Sequence, residues 1–170
     1  MKILATFDGS TFSEATLVQL TMMADLPTVE FIFLGVADLP QGRLQHPPAE
    51  RTAETLPTAN AVLVDAPEPK WAENKGQAVE RRRAQLNDYL QDLAAKLPKG
   101  AVVKIKTEIS DDAATAIVDC AKRNATDVIV MATHSRGPLA QALLGSTASS
   151  VVRSGVAPVL LVHPKDGSRA

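Results

Sequence analysis

The chain has 170 residues, 45% of them apolar and 22% charged, which is enough for one domain with a substantial core and ordinary for a soluble globular protein. A formal net charge of −1 and an aromatic content of 4% argue against a basic nucleic-acid surface, a cationic membrane patch and a base-stacking platform. The lone Cys120 excludes an internal disulfide and fits a reducing compartment.

Residues 2–7 read as a short buried strand closed by Asp8-Gly9. Its apolar stretch is too short for the core of a signal peptide, and no run approaches the roughly 18 apolar residues of a membrane span. A cytoplasmic location is therefore expected. Thr11-Phe12-Ser13-Glu14 matches a capping box, and Ala15, Leu17, Val18 and Met22 follow at helical spacing. Pro27 ends this unit. Val29 to Val36 is nearly continuously apolar, as expected of a strand covered on both faces of a parallel sheet.

The stretch from about 38 to 70 differs in kind. It holds Pro40, Pro47, Pro48, Pro57, Pro67 and Pro69, so an irregular excursion is predicted, with Ala61 to Val64 as a brief ordered piece. A loop of this length in a small domain is expected to be functional or mobile. It is too short and too proline-rich to be a second domain. The chain is read as one domain over residues 1–165 carrying this insert, with a polar tail at 166–170.

From about Trp71 to Leu97 the pattern is helical, with Leu86, Leu90, Leu93 and Leu97 on one face. Pro98 and Gly100 stop it. Val102 to Lys106 reads as a third strand. Ser110 is the expected cap of the next helix, with Asp111 and Asp112 complementing its dipole and Ala113, Ile117 and Ala121 sharing a face. Val128 to Ala132 is a fourth strand, and 133–146 a loop with a short apolar piece at Leu139 to Leu144. A last helix runs from about Thr147 to Ser154, with Gly155 suited to the C′ position. Val159 to Val162 is a fifth strand. Alternating strands and helices predict an α/β fold with a parallel sheet.

In open α/β sheets, ligands sit outside the carboxyl ends of the strands. That rule selects Thr6 to Ser10, the segment from Val36 onward, and Met131 to Thr147. Gly145-Ser146-Thr147 at a helix start suits an anion, because free amides and the helix dipole both favour negative charge. Gly145 permits close backbone approach, and Arg136 can add a charge-assisted contact. The competing reading makes Ser146 or Thr147 simply an N-cap.

Asp8-Gly9-Ser10, Met131-Ala132-Thr133-His134-Ser135, Gly145-Ser146 and Pro158 to Val162 together resemble the universal stress protein family, over nearly all the chain except the insert. The resemblance implies an adenine nucleotide alpha hydrolase-like fold, an open five-stranded parallel sheet in the order 3-2-1-4-5 with helices on both faces. It further implies an ATP-binding regulatory protein of the stress response, possessing a Rossmann-like crevice that takes ATP with Mg²⁺ and acting as a homodimer. Nucleotide-binding members carry a glycine, two residues, a second glycine, nine residues, then Gly-Ser or Gly-Thr. Here that spacing falls on Ala132, Ser135 and Gly145-Ser146, so both earlier glycines are replaced. By analogy, Thr6, Asp8 and Val36 lie at the adenine and ribose end. The stretch from Met131 to Ser135, with Ala132 and His134 inside it, frames ribose and phosphates, Arg136 adds its charge-assisted contact, and Gly145, Ser146 and Thr147 hold the phosphates. The homodimer is expected through Val159, Leu160, Leu161 and Val162, an apolar edge that favours pairing.

Other residues carry plainer expectations. His134 either touches the ligand or orients backbone, His163 is expected to be solvated, and His46 has no partner in view. Dispersed histidines and one cysteine make no metal site. Cys120 is expected to pack rather than react. Arg81-Arg82-Arg83 is expected to be a solvated helix face. No residue pairs an obvious general base with an orienting partner, so no efficient enzyme is expected. The alternative function is a ligand-free dimeric interaction module whose nucleotide site has degenerated. A phospho-receiver domain is disfavoured because Thr107-Glu108-Ile109-Ser110 stands where its aspartate belongs. The insert leaves from the carboxyl end of the second strand and is read as a flap over the crevice.

Overall fold

The computed structural model describes residues 1–39, 75–133 and 145–163. Most of the proline-rich insert, Trp71, His46, the 134–144 loop and the tail lie outside the described residues. In chain order the elements are β1 (Lys2–Phe7), α1 (Thr11–Glu14), α2 (Thr16–Met23), β2 (Glu30–Ala37), α3 (Lys75–Ala94), β3 (Val102–Ile109), α4 (Ala113–Asn124), β4 (Val128–Ala132), α5 (Ser146–Ser154) and β5 (Val159–Val162). All strand pairings are parallel, in the order β3-β2-β1-β4-β5.

Strand alternation sorts the core into two layers. Ile3, Ala5, Phe7, Phe31, Phe33 and Val130 face α2 and α3, where Leu20 and the row Leu86, Leu90, Leu93 and Leu97 cover them. Leu4, Ile32, Leu34, Ile129 and Met131 face α4 and α5, meeting Ile117, Cys120, Ala121, Ala148 and Val151. Phe7 and Phe33 pack with ring centroids 4.9 Å apart. The helix α3 comes close to the sheet at Gly35, where a Cβ would stand 2.6 Å from Leu86 Cγ. Only a residue without a side chain lets α3 settle that deeply on β2.

Local readings differ from the structure in four places. Ser10, not Thr11, caps α1, accepting from the Ser13 N–H at 3.3 Å, and the Glu14 carboxylate meets Tyr89 and Lys96 instead of closing a capping box. Val18 and Met22 are 62% and 71% exposed, because Thr16 and Leu20 form the inward stripe of α2. The strand β3 runs on to Ile109, since β2 continues to Ala37 and supplies ladder partners throughout. Asp112, not Ser110, caps α4: its carboxylate accepts from the Thr115 N–H at 3.0 Å and hydroxyl at 2.6 Å. Those bonds favour the ionised form and hold the Asp112 carboxyl below the usual range.

Candidate nucleotide crevice

The chain runs β1, β2, β3 to one side and then β4, β5 to the other, so its direction reverses between β1 and β4. That reversal opens a crevice at the strands' carboxyl ends. Buried Thr6 closes β1 and is followed by exposed Asp8. Gly9 then turns the chain with φ +83°, a conformation that costs other residues roughly 1–2 kcal/mol. Ser10 donates to Asp8 Oδ1 from both its N–H (2.9 Å) and its hydroxyl (2.6 Å), so the carboxylate is fixed at the rim. The Ser13 hydroxyl donates to the Ser10 carbonyl at 2.8 Å, tying α1 to the same loop.

On the far side, β4 delivers Met131, Ala132 and buried Thr133. Thr133 donates its N–H to the Val162 carbonyl at 3.0 Å, and its hydroxyl lies 3.4 Å from His163 Nδ1. The helix α5 begins at Ser146 with Gly145 as its N-cap (φ −51°, ψ 156°), and among the described residues no side chain caps it. The alternative in which Ser146 or Thr147 caps the helix is thereby overturned. Ser146 and Thr147 occupy the first turn itself, and Ser149 makes the bond back to the Gly145 carbonyl at 2.9 Å. The first-turn amides open toward the crevice, with the positive end of the helix dipole behind them.

A cavity of about 280 Å³ joins these pieces, close to the lower end of ordinary small-ligand sites. It gathers Thr6, Asp8, Val36, Met131, Ala132, Gly145, Ser146 and Thr147 on one wall system. His134, Ser135 and Arg136 lie outside the described residues. Phe7, Ser13, Ala113, Ile117, Thr133 and Ala148 complete the lining; Thr133 falls in the stretch expected to frame ribose and phosphates, Phe7 in the segment selected after β1, and the other four carry no ligand role in the sequence reading. Ser13 was hidden by the misplaced cap. Ala113 and Ile117 were legible only as a helix face, although their spacing of four also aims the first turn of α4 into the crevice.

Cys120 is fully buried, and that burial pushes its thiol pKa up, which suits packing rather than reactivity. Arg81, Arg82 and Arg83 are exposed, with Arg83 3.9 Å from Glu80. His163 is exposed at the end of β5, though it is in contact with Thr133 rather than simply solvated. Among the described residues no group of three or more His, Cys, Asp or Glu is placed to hold a metal, and no helix is long and apolar enough to cross a membrane.

The fold and the crevice define a Rossmann-like α/β domain with its ligand-sized cavity at the switch point. The chain belongs to the universal stress protein family, whose model matches residues 1–163. No curated protein matches it at a significant level. Among solved structures it is similar to hypothetical protein MJ0577, with 23% identity, TM-score 0.67, and coverage of 97% of this chain and 96% of that one. Universal stress protein UspA from Lactobacillus plantarum matches at 19% identity and TM-score 0.58, covering 95% and 97%. A universal stress protein solved in complex with cAMP matches at 17% identity and TM-score 0.54, covering 96% of each chain. At these identities the likeness establishes the fold.

Proposed function

We propose that this chain is an adenine-nucleotide-binding regulatory protein of the stress response, taking ATP with Mg²⁺ in the crevice and acting in the cytoplasm as a homodimer. The observation that carries the reading is the cavity itself. It brings Asp8 from β1, Val36 from β2 and the uncapped start of α5 to one place, although they are far apart in sequence. Asp8 at the rim suits ribose hydroxyls or the adenine amine, both of which donate to a carboxylate. Val36, Ala113 and Ile117 offer an apolar wall to a purine face. Gly145, Ser146 and Thr147 offer amides and hydroxyls to phosphate. His134, Ser135 and Arg136 are assigned to the ribose and phosphates on the strength of the family pattern. The cAMP complex of a structural neighbour agrees with an adenine-nucleotide ligand class.

The edges of the sheet support the homodimer. The strand β3 carries Lys104, Lys106 and Glu108, charges that discourage pairing, whereas β5 reads Val-Leu-Leu-Val. Pro158 and Val162 direct their carbonyls to β4, so Val159 and Leu161 turn their backbone groups outward. The insert leaves beside the crevice, with the Leu39 N–H donating to Asp111 Oδ1 at 3.2 Å near the start of α4. We assign it the role of a flap.

One observation favours the alternative of a ligand-free interaction module: Ala132 puts a Cβ on the cavity wall where the family pattern has glycine. Titration calorimetry with ATP and Mg²⁺, together with mass spectrometry of ligand released from the purified chain, separates the two. Nucleotide binding is expected. No heat at millimolar ATP and no released nucleotide leave the interaction module.

A further inference from the structure

Two side chains on the α3 side reach across to α1, and the crevice residues lie directly behind the point they grip. The helix α1 spans Thr11–Glu14 and runs through Ala15, itself right-handed helical (φ −59°, ψ −21°), into α2. Its Glu14 end is also held from outside, by side chains of α3 and of the turn that follows it. Ser13 faces inward, buried on the cavity wall. Glu14, its neighbour, accepts from the Tyr89 hydroxyl at 3.4 Å and from Lys96 Nζ at 3.2 Å. From Ser13 the connection continues through the Ser10 hydroxyl and carbonyl, and from Ser10 to Asp8 Oδ1. Glu14 joins Ser13 through the chain and hydrogen bonds carry the connection on to Asp8, so a shift of Glu14 is transmitted to the Asp8 carboxylate.

We propose that Tyr89, Lys96 and Glu14 form a clamp that positions α1 and thereby fixes Asp8 at the rim of the crevice. They are positioning residues, and none of them lines the cavity. Their bearing on ligand affinity rests on the nucleotide reading above.

Magnitudes favour positioning over general stability. The Lys96–Glu14 pair is largely exposed, with side chains 55% and 31% accessible, and such pairs contribute little to the folding free energy. Tyr89 is half-buried, and desolvation, with Glu14 and Asp8 close by, pushes its pKa up to about 12. Its hydroxyl is therefore a standing donor at any physiological pH. The clamp also makes α3, which follows the insert in the chain, the element that braces the Asp8 loop.

The test uses the full chain without nucleotide. Hydrogen–deuterium exchange over residues 8–15 is compared in wild type, Tyr89→Phe, Glu14→Ala, Lys96→Met and Lys96→Arg. Losing one such bond is expected to speed exchange there by about threefold to tenfold. Exchange in α4 and the thermal midpoint stay at wild-type values, and Lys96→Arg restores the slow exchange. Unchanged exchange over 8–15 in both Tyr89→Phe and Glu14→Ala overturns the clamp, as does acceleration spread equally over the whole chain. ATP titration of the same proteins separates the two ideas. If wild type takes no ATP but the exchange responds, the nucleotide reading falls and the clamp stands. If ATP binds and the segment is unmoved, the reverse holds.

Discussion

Asp112 shows how a single side chain writes itself into the pH dependence of the fold. Its two bonds from Thr115 favour the carboxylate, so its folded pKa lies below the unfolded one. The stability it contributes is fully present above the unfolded carboxylate pKa and is lost as pH falls through the folded value. Asp112→Asn keeps a capping acceptor but deletes the titration. The stability lost between neutral pH and about pH 3 should shrink in that variant, as read by denaturant unfolding; an unchanged acid slope contradicts the assignment. Gly35 gives a steric counterpart. Gly35→Ala drives a Cβ into Leu86 and is expected to cost about 1–3 kcal/mol, with much of the loss recovered in combination with Leu86→Ala. Strict additivity of the two substitutions would sink that reading. Residue identities were the most legible part at this scale, and exact roles the least. Ser10 and Asp112 displaced Thr11 and Ser110 as caps because several adjacent residues had the right chemistry and only backbone geometry chooses among them.

Elements were read best where periodicity had no competitor. The Leu86, Leu90, Leu93, Leu97 row and the Val128–Ala132 strand stand where the sequence places them. The segment after β1 is helical as its apolar spacing indicates, but of the four residues that set the spacing Ala15 and Leu17 pack on the core while Val18 and Met22 are exposed. Its apolar residues occupy both sides of α2, and the buried stripe contains Thr16, whose hydroxyl finds a partner in the Ser13 carbonyl at 2.7 Å. A threonine satisfied by its own helix can replace an apolar residue in the core, and pattern alone does not show that. At the sheet edge, Leu161 turns its backbone outward. Leu161→Pro removes an edge donor at a position where proline is tolerated, so light scattering should show wild type at twice the chain mass and the variant at one. A wild-type chain that is monomeric in solution rules out the edge-paired homodimer.

For the molecule as a whole, alternating elements fixed the fold class, and the order 3-2-1-4-5 came with the family pattern rather than from periodicity, which says nothing about lateral strand order. The strand-end rule places Asp8, Val36 and Gly145 at one crevice, and all three line the cavity. What stayed hidden were residues whose contribution is shape rather than chemistry, such as Ala113 and Ala148, which matter because they leave room.

Calorimetric ATP titration of Gly145→Asp beside wild type asks whether phosphate binds at the start of α5, as proposed. Gly145 has open space where a Cβ would go, and aspartate is a favoured N-cap, so the fold is kept or slightly strengthened. The new carboxylate would occupy and repel the phosphate position. An undiminished thermal midpoint is expected, with at least a tenfold loss of ATP affinity, about 1.4 kcal/mol or more. Equal ATP affinity in the two proteins would contradict it.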